Sequence, residues 1–314
     1  MLSNVSRLVK LGLLVNENSD DQRLDDLLAR QWGRWLPQGS FHFSTKDVFY
    51  LRGNSRRELK AVLAGRSPPK SFKTIKGARK TLPKRSFPDS EFVKVLLARK
   101  THRRFLKGKL KLEEMSQLLS LVWGVTGQAS SSVFGKLVYK TSPSGGARHP
   151  GEVYVMALRV EGLRPGLYHY HPGRHYLTRL GASVTPAKAS LYCARQEYPK
   201  DAAALFLMTA VFGRTMWKYR NARAYRVVLL EAGHLCQTFC LVATWLGLAP
   251  FCTAAVKDTL IENDLGLDGV SESVLYVAGV GLPITSARGM RRFSRNADRP
   301  GGNPSKGAVL AVRN

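Results

Sequence analysis

Acidic residues are scarce in this chain: 22 Asp and Glu face 49 Lys and Arg, a formal net charge of +27. The imbalance is local. From Arg52 to Lys109 there are 19 basic residues and three acids, Glu58, Asp89 and Glu91, and from Ala287 to Asn314 seven basic residues and one acid, Asp298. Such a field favours polyanionic partners, among them nucleic acid, phosphorylated ligands and acidic peptides, unless it is only a solvated basic surface. No RNP, zinc-finger or basic-zipper pattern accompanies it, so no specific nucleic-acid reader is expected. Cysteine is also rare. Cys193, Cys236, Cys240 and Cys252 form no CxxC pair and no His/Cys metal pattern. Cys236 and Cys240 are expected to pack as small apolar groups, with no metal. No apolar run approaches the ~18 residues of a membrane span. The start, MLSNVSRLVKLGLLVNENSDD, lacks a small-residue cleavage site, so no signal peptide is read and a cytoplasmic protein is expected.

What is present belongs to a globular protein: 44% hydrophobic and 9% aromatic residues in 314, enough for a large core. Residues 1–88 form an N-terminal extension. In it DQRLDDLLARQWGRWL has the spacing of an amphipathic helix, FHFSTKDVFYL alternates like an extended segment, and SRRELKAVLAG predicts a short helix. SPPKSFKTIKGARKTLPKRSFPDS is Pro-rich and basic, a linker or surface arm available to a peptide or partner. Residues 89–286 hold the dense pattern. SEFVKVLLARK predicts a helix capped by Ser90 or Asp89. LKLEEMSQLLSLVWGVTG predicts another, closed by Gly124 and Gly127. EVYVMAL, GLYHYHP and HYLTRL read as successive strands, and AALFLMTAVF as a central one. RAYRVVLLEAGHLCQTFCLVATWLGL is apolar nearly all round and should be buried. Residues 287–314 are a basic Gly/Pro-rich tail. Helices and strands mix without a βαβ rhythm, so the class is α+β.

Three stretches carry candidate chemistry. In ARKTHRRF, Arg99, Thr101 and Arg103 alternate, which places two guanidinium groups and a hydroxyl on one side of an extended link, a set that suits a phosphate. TSPSGGARHPG puts two glycines just before a strand, either as a tight turn or as a floor for something flat. In GRTMWKYRNARAYR, Lys218 and Tyr219 adjoin where a central strand ends, and a lysine beside a phenol can ready it as a base.

RKTHRRF, the helix ending in WGVTG, SPSGGARHPGEVYV, GLYHYHP, WKY…RAYR…EAGHLCQTFCLVATWLGL and SVLYVAGVGLP, in this order, resemble the nitroreductase superfamily. Within it the resemblance is to the SagB/McbC-type dehydrogenases, which oxidise peptide azolines to azoles. It covers about residues 90–290. It implies a nitroreductase-like fold, with a mostly antiparallel central sheet flanked by helices, and FMN as cofactor. The family's phosphate-holding element falls on Arg99, Thr101 and Arg103. Its flavin-facing loop, contributed across a homodimer, falls on Pro143, Ser144, Gly145 and Gly146; many members carry Asn where this chain has Ala147. The segment near the flavin's reactive edge falls on Thr253, Ala254 and Ala255. A basic residue beyond the last strand completes the phosphate grip, with Arg288, Arg291 and Arg292 as candidates. The catalytic Lys-Tyr pair falls on Lys218 and Tyr219.

The resemblance therefore implies oxidation of a thiazoline or oxazoline in a ribosomal precursor peptide or a carrier-bound substrate. Tyr219 is expected to act as base with Lys218 supporting it, in a homodimer that can join a cyclodehydratase complex. An NAD(P)H-dependent nitroreductase or flavin reductase and a non-enzymatic basic binding protein are the alternatives. The Lys-Tyr pair argues against the first and the intact phosphate-binding pattern against the second.

Overall fold

The computed structural model describes residues 2–10, 14–48, 64–65, 67, 69–83 and 86–284. The expected helix SRRELKAVLAG lies almost wholly outside the described residues, and the C-terminal tail lies wholly outside them. In chain order the elements are α1 (Leu2–Lys10), α2 (Asp20–Trp32), α3 (Leu36–Ser44), α4 (Glu91–Ala98), β1 (Phe105–Leu106), α5 (Leu112–Trp123), β2 (Val125–Ser131), β3 (Gly135–Lys140), β4 (Gly151–Ala157), β5 (Gly166–His171), β6 (Tyr176–Arg179), α6 (Pro186–Tyr192), β7 (Ala204–Val211), α7 (Phe212–Lys218), α8 (Tyr225–Trp245), β8 (Ala249–Thr253), α9 (Asp258–Leu265) and β9 (Glu272–Pro283).

A seven-stranded sheet runs in the order β1-β9-β7-β4-β5-β6, with β8 also paired to β9, and its ladders are antiparallel. The β2–β3 hairpin stands apart. Alternation along the strands builds two cores. Val153, Val155, Phe206 and Met208 face α5 and α8, whose Met115, Leu118, Leu235 and Phe239 are buried with them. Tyr154, Met156, Leu205 and Leu207 face the opposite side, with Tyr192 of α6 and Ile261 of α9. Covered on both faces, β7 reads as a continuous apolar run, which is why the sequence marks it as central. The mixed, antiparallel α+β architecture is the one expected.

Four expectations need correction or refinement. Ser90, rather than Asp89, caps α4, its hydroxyl accepting from the Val93 N–H at 3.3 Å. Only Gly124 closes α5; Gly127 lies in β2, because the hairpin starts at once. Residues 41–44 of FHFSTKDVFYL are helical, not extended: Pro37 opens α3 and the buried Gly39 and His42 share one face at i, i+3 spacing. That face packs on Trp32, and with Trp35, Phe212, Tyr225 and Val270 it makes a third core that joins the N-terminal extension to the rest. His42 lies between the Tyr225 and Ser273 hydroxyls, at 2.9 Å from each.

The fourth concerns α8. The stretch Ala222–Trp245, with mean hydropathy 1.5, is long and apolar enough to cross a bilayer, contrary to the reading that no run is. Its Val228, Leu235, Phe239 and Ala243 instead pack against the sheet. It is not buried all round: Leu229, Leu230 and Trp245 are 42%, 55% and 44% exposed.

Candidate functional site

The loop between β3 and β4 is built from small residues in unusual conformations. Gly146 (φ 62°), Ala147 (φ 53°) and His149 (φ 45°) are all left-handed. For the alanine and the histidine this costs roughly 1–2 kcal/mol each. Hydrogen bonds within the loop hold the shape: the His149 N–H donates to Ser144 Oγ at 2.8 Å, and Arg148 Nε donates to the Gly146 carbonyl at 3.0 Å. From outside, Arg214 donates to the His149 carbonyl at 2.9 Å, and His234 Nδ1 lies 3.3 Å from the Pro143 carbonyl.

Lys218 and Tyr219 end α7 directly over this loop. A Cβ on Gly146 would stand 2.7 Å from both Lys218 Nζ and Tyr219 Oη. A Cβ on Gly145 would run into Val227. A side chain at position 145 would thus displace Val227, and one at 146 would strain a left-handed backbone and push aside the movable ends of Lys218 and Tyr219. The Lys218 ammonium lies 4.0 Å from the centroid of Phe134, at the tip of the β2–β3 hairpin. The indole of the buried Trp35 donates to the Tyr219 carbonyl at 2.9 Å, so the N-terminal extension touches the candidate catalytic pair.

Beneath the loop, Glu231 of α8 lies close to Ser144 and Gly151, and burial pushes its carboxyl above the usual range despite them. Its Oε2 is buried without a partner. Beside the loop is a cleft of about 420 Å³ lined by Lys140, His149, Glu152, His169, Arg214 and Glu272, among others. Burial pushes Glu152 up, but His169 at 2.8 Å and Arg214 at 2.5 Å outweigh it and hold the carboxyl below its ordinary value. Burial also lowers Lys140, despite the nearby Glu152 and Glu231.

The second group of expected residues lies at the other side of the sheet. Arg99, Thr101 and Arg103 occupy a coil whose His102 N–H donates to the Pro250 carbonyl of β8 at 2.9 Å. No carboxylate among the described residues forms an ion pair with Arg99 or Arg103. Arg103 stands 5.9 Å from the Tyr198 ring centroid. Tyr198 donates to Gln196, and Gln196 donates to Thr253 Oγ1 at 2.9 Å. The Ala255 N–H donates to the same hydroxyl at 3.1 Å. Two guanidinium groups on an extended link, without a carboxylate partner among the described residues, suit a phosphate dianion.

The structure therefore gathers Arg99, Thr101, Arg103 and the Thr253–Ala255 segment in one place. It gathers Pro143, Ser144, Gly145, Gly146, Lys218 and Tyr219 in another. Strands β9 and β7 separate β8 from β4, so the strand beside the first group and the strand that follows the glycine loop stand about three strand spacings, ~14 Å, apart. Arg288, Arg291 and Arg292 lie outside the described residues. Sequence reasoning missed Trp35, Glu231 and Phe134. Of these only Glu231, a lone acid inside an apolar helix, had a signal of its own.

Comparison with known proteins follows these elements. Residues 96–282 match the nitroreductase family. A protein of Methanocaldococcus jannaschii named as a nitroreductase, MJ1384, is 33% identical over 200 residues, 63% of this chain and 95% of that protein. The trifolitoxin-processing protein TfxB of Rhizobium leguminosarum bv. trifolii is 33% identical over 175 residues, 54% of this chain and 47% of TfxB. The microcin B17-processing protein McbC of Escherichia coli is 29% identical over 176 residues, 54% of this chain and 62% of McbC. The chain thus spans about half of TfxB and under two thirds of McbC. A solved structure of the E. coli microcin synthetase McbBCD complex with truncated pro-MccB17 is similar in fold, with TM-score 0.55, 20% identity and coverage of 88% of this chain and 98% of that one. The chain belongs to the nitroreductase family.

Proposed function

We propose that this protein is an FMN-dependent dehydrogenase that oxidises azoline rings of a peptide to azoles, acting as a homodimer. The observation that carries the reading is the seating of Lys218 and Tyr219 on Gly146. The pair that the resemblance makes catalytic rests on the loop that it places against the flavin. Arg99 and Arg103 fit the phosphate end, with Thr101 and Thr253 as hydroxyls beside them. Because two strands separate β8 from β4, the reading joins one copy's arginine edge to a second copy's loop. The exposed Leu229 and Leu230 of α8 supply an apolar contact for that second copy to cover.

Bound FMN supplies the hydride acceptor. The chain's own task is to orient the ring and take a proton. Tyr219 acts as its phenolate, held in that form beside the Lys218 ammonium, and becomes the phenol on taking the proton from the azoline carbon beside the amide, while the ammonium steadies the negative charge that develops there. Such general-base help is worth roughly 10²–10⁴-fold. A peptide substrate is in keeping with TfxB and McbC, both named as peptide-processing proteins. The basic Pro-rich arm is the proposed contact for an acidic leader peptide or a cyclodehydratase partner.

The match to nearly the whole of MJ1384 favours a second reading, an NAD(P)H-driven reductase of small molecules. Anaerobic absorbance of the purified yellow protein separates the two. A thiazoline peptide should bleach the flavin while NADPH leaves it oxidised. Rapid bleaching by NADPH alone, with no response to the peptide, selects the reductase.

A further inference from the structure

Three of the four cysteines converge. Cys236 and Cys240 are four residues apart on α8 and so share a face. Strand β8 packs against that helix and brings Cys252 to them, and the three sulfurs all lie within 4.8 Å of one another. Cys236 and Cys240 are 3% and 6% exposed, Cys252 is half-buried, and all three are free thiols. The Tyr276 hydroxyl donates to Cys252 Sγ at 3.3 Å. The Arg99 guanidinium is near enough to act electrostatically on Cys240 and Cys252.

We propose that Cys236, Cys240 and Cys252 form a three-thiolate site for a thiophilic d¹⁰ cation, Zn²⁺ or Cu⁺. A sulfur–metal bond of about 2.3 Å puts three ligating sulfurs roughly 4 Å apart around a central ion, within the spread the thiols already have. Packing alone needs small apolar groups here; it does not need three sulfurs from two elements pointing at one another. Soft thiolates select this class of ion over the hard cations. On binding, each thiol gives up its proton: the three thiolates leave a complex of charge −1 with Zn²⁺ or −2 with Cu⁺, and three protons are released in either case. Tyr276 acts as an outer hydrogen-bond donor to a ligating sulfur. The ion would clip α8 to β8, the strand that ends at Thr253. The site does not depend on the flavin reading, since a chain that binds no flavin could hold the ion equally well.

The test uses the full chain, stripped of metal by chelator under reducing conditions. It is titrated with Zn²⁺ and, in a separate arm, with Cu⁺ buffered by a competing ligand, and followed by native mass spectrometry and thermal melting. One ion per chain is expected, with a raised melting temperature and release of protons. Cys252→Ser should abolish retention, Tyr276→Phe should weaken it by roughly 10–100-fold, and Cys193→Ser should leave it intact. Absence of a retained ion in both arms overturns the proposal. So does equal retention by the Cys236→Ala/Cys252→Ser double variant, provided its melt shows it folded. A disulfide joining two of the three in protein purified without chelator overturns it as well.

Discussion

The indole N–H of Trp35 donates to the backbone carbonyl of Tyr219 at 2.9 Å. A residue of the N-terminal extension thereby fixes the end of α7, where Lys218 and Tyr219 meet the glycine loop. Trp35→Phe keeps much of the ring volume and removes the donor. Leaving the carbonyl unpaired should cost about 1–3 kcal/mol of stability. Turnover should fall further than the loss of folded protein explains, because Tyr219 loses its anchor. Urea melts alongside initial rates on the folded fraction check this.

Gly146→Ala should damage activity more than stability. The new methyl group enters a left-handed position and stands 2.7 Å from Lys218 Nζ and Tyr219 Oη, the movable ends of both candidate catalytic side chains. Gly266, which caps α9 at φ 71° and would have nothing within 4 Å of an added methyl group, isolates the strain. Both alanine variants should lose about 1–2 kcal/mol from left-handed backbone strain. Only Gly146→Ala should lower kcat, by tenfold or more on the order expected for a misplaced base.

The elements legible in the sequence are those whose pattern follows from local burial. The continuous apolar run of β7 and the periodicity of α2 and α5 state which faces are covered. The start of FHFSTKDVFYL misleads because Phe41, His42 and Phe43 mimic strand alternation; the contacts that decide for a helix come from Trp32 in the preceding helix and from Phe212 and Tyr225, distant in sequence. The seating of Lys218 and Tyr219 against the glycine loop could not be read from spacing, although both segments were singled out. Glu231 was visible only as an acid in an apolar helix, and nothing in the sequence placed Ser144 and Gly151 beside it. The two helical cysteines were plain, and the third arrives on β8 only because the chain folds back along the sheet.

His42 gives stability a pH dependence of definite sign. Burial, with Lys46 nearby, lowers its pKa from 6.5 to about 4. The folded state therefore holds it neutral while the unfolded state takes up a proton below about 6.5. Its contribution is complete above pH 6.5 and is lost as pH falls through the interval down to 4. The loss approaches 3 kcal/mol at about 1.4 kcal/mol per unit. His42→Gln should flatten that part of the curve of melting temperature against pH, at the cost of lower stability at pH 7.

Arg99→Ala and Arg103→Ala should each weaken FMN retention by roughly 10–100-fold, the worth of one charge-assisted hydrogen bond of about 1.5–3 kcal/mol. Quenching of flavin fluorescence on titration with the protein reads this out. Arg99→Lys should recover only part of the affinity, because an ammonium group cannot reproduce the bidentate grip. Retention unchanged in the double alanine variant would remove this edge from the cofactor site.

The most direct measurement is the mass of a thiazoline-bearing peptide after incubation with the purified protein in air, compared with Lys218→Ala and Tyr219→Phe variants matched for bound flavin. The account predicts loss of two hydrogens from the peptide with the unaltered protein, and a rate reduced by roughly 10²-fold or more in each variant. Oxidation at full rate by both variants, or an unchanged peptide mass with flavin-loaded protein, would contradict it.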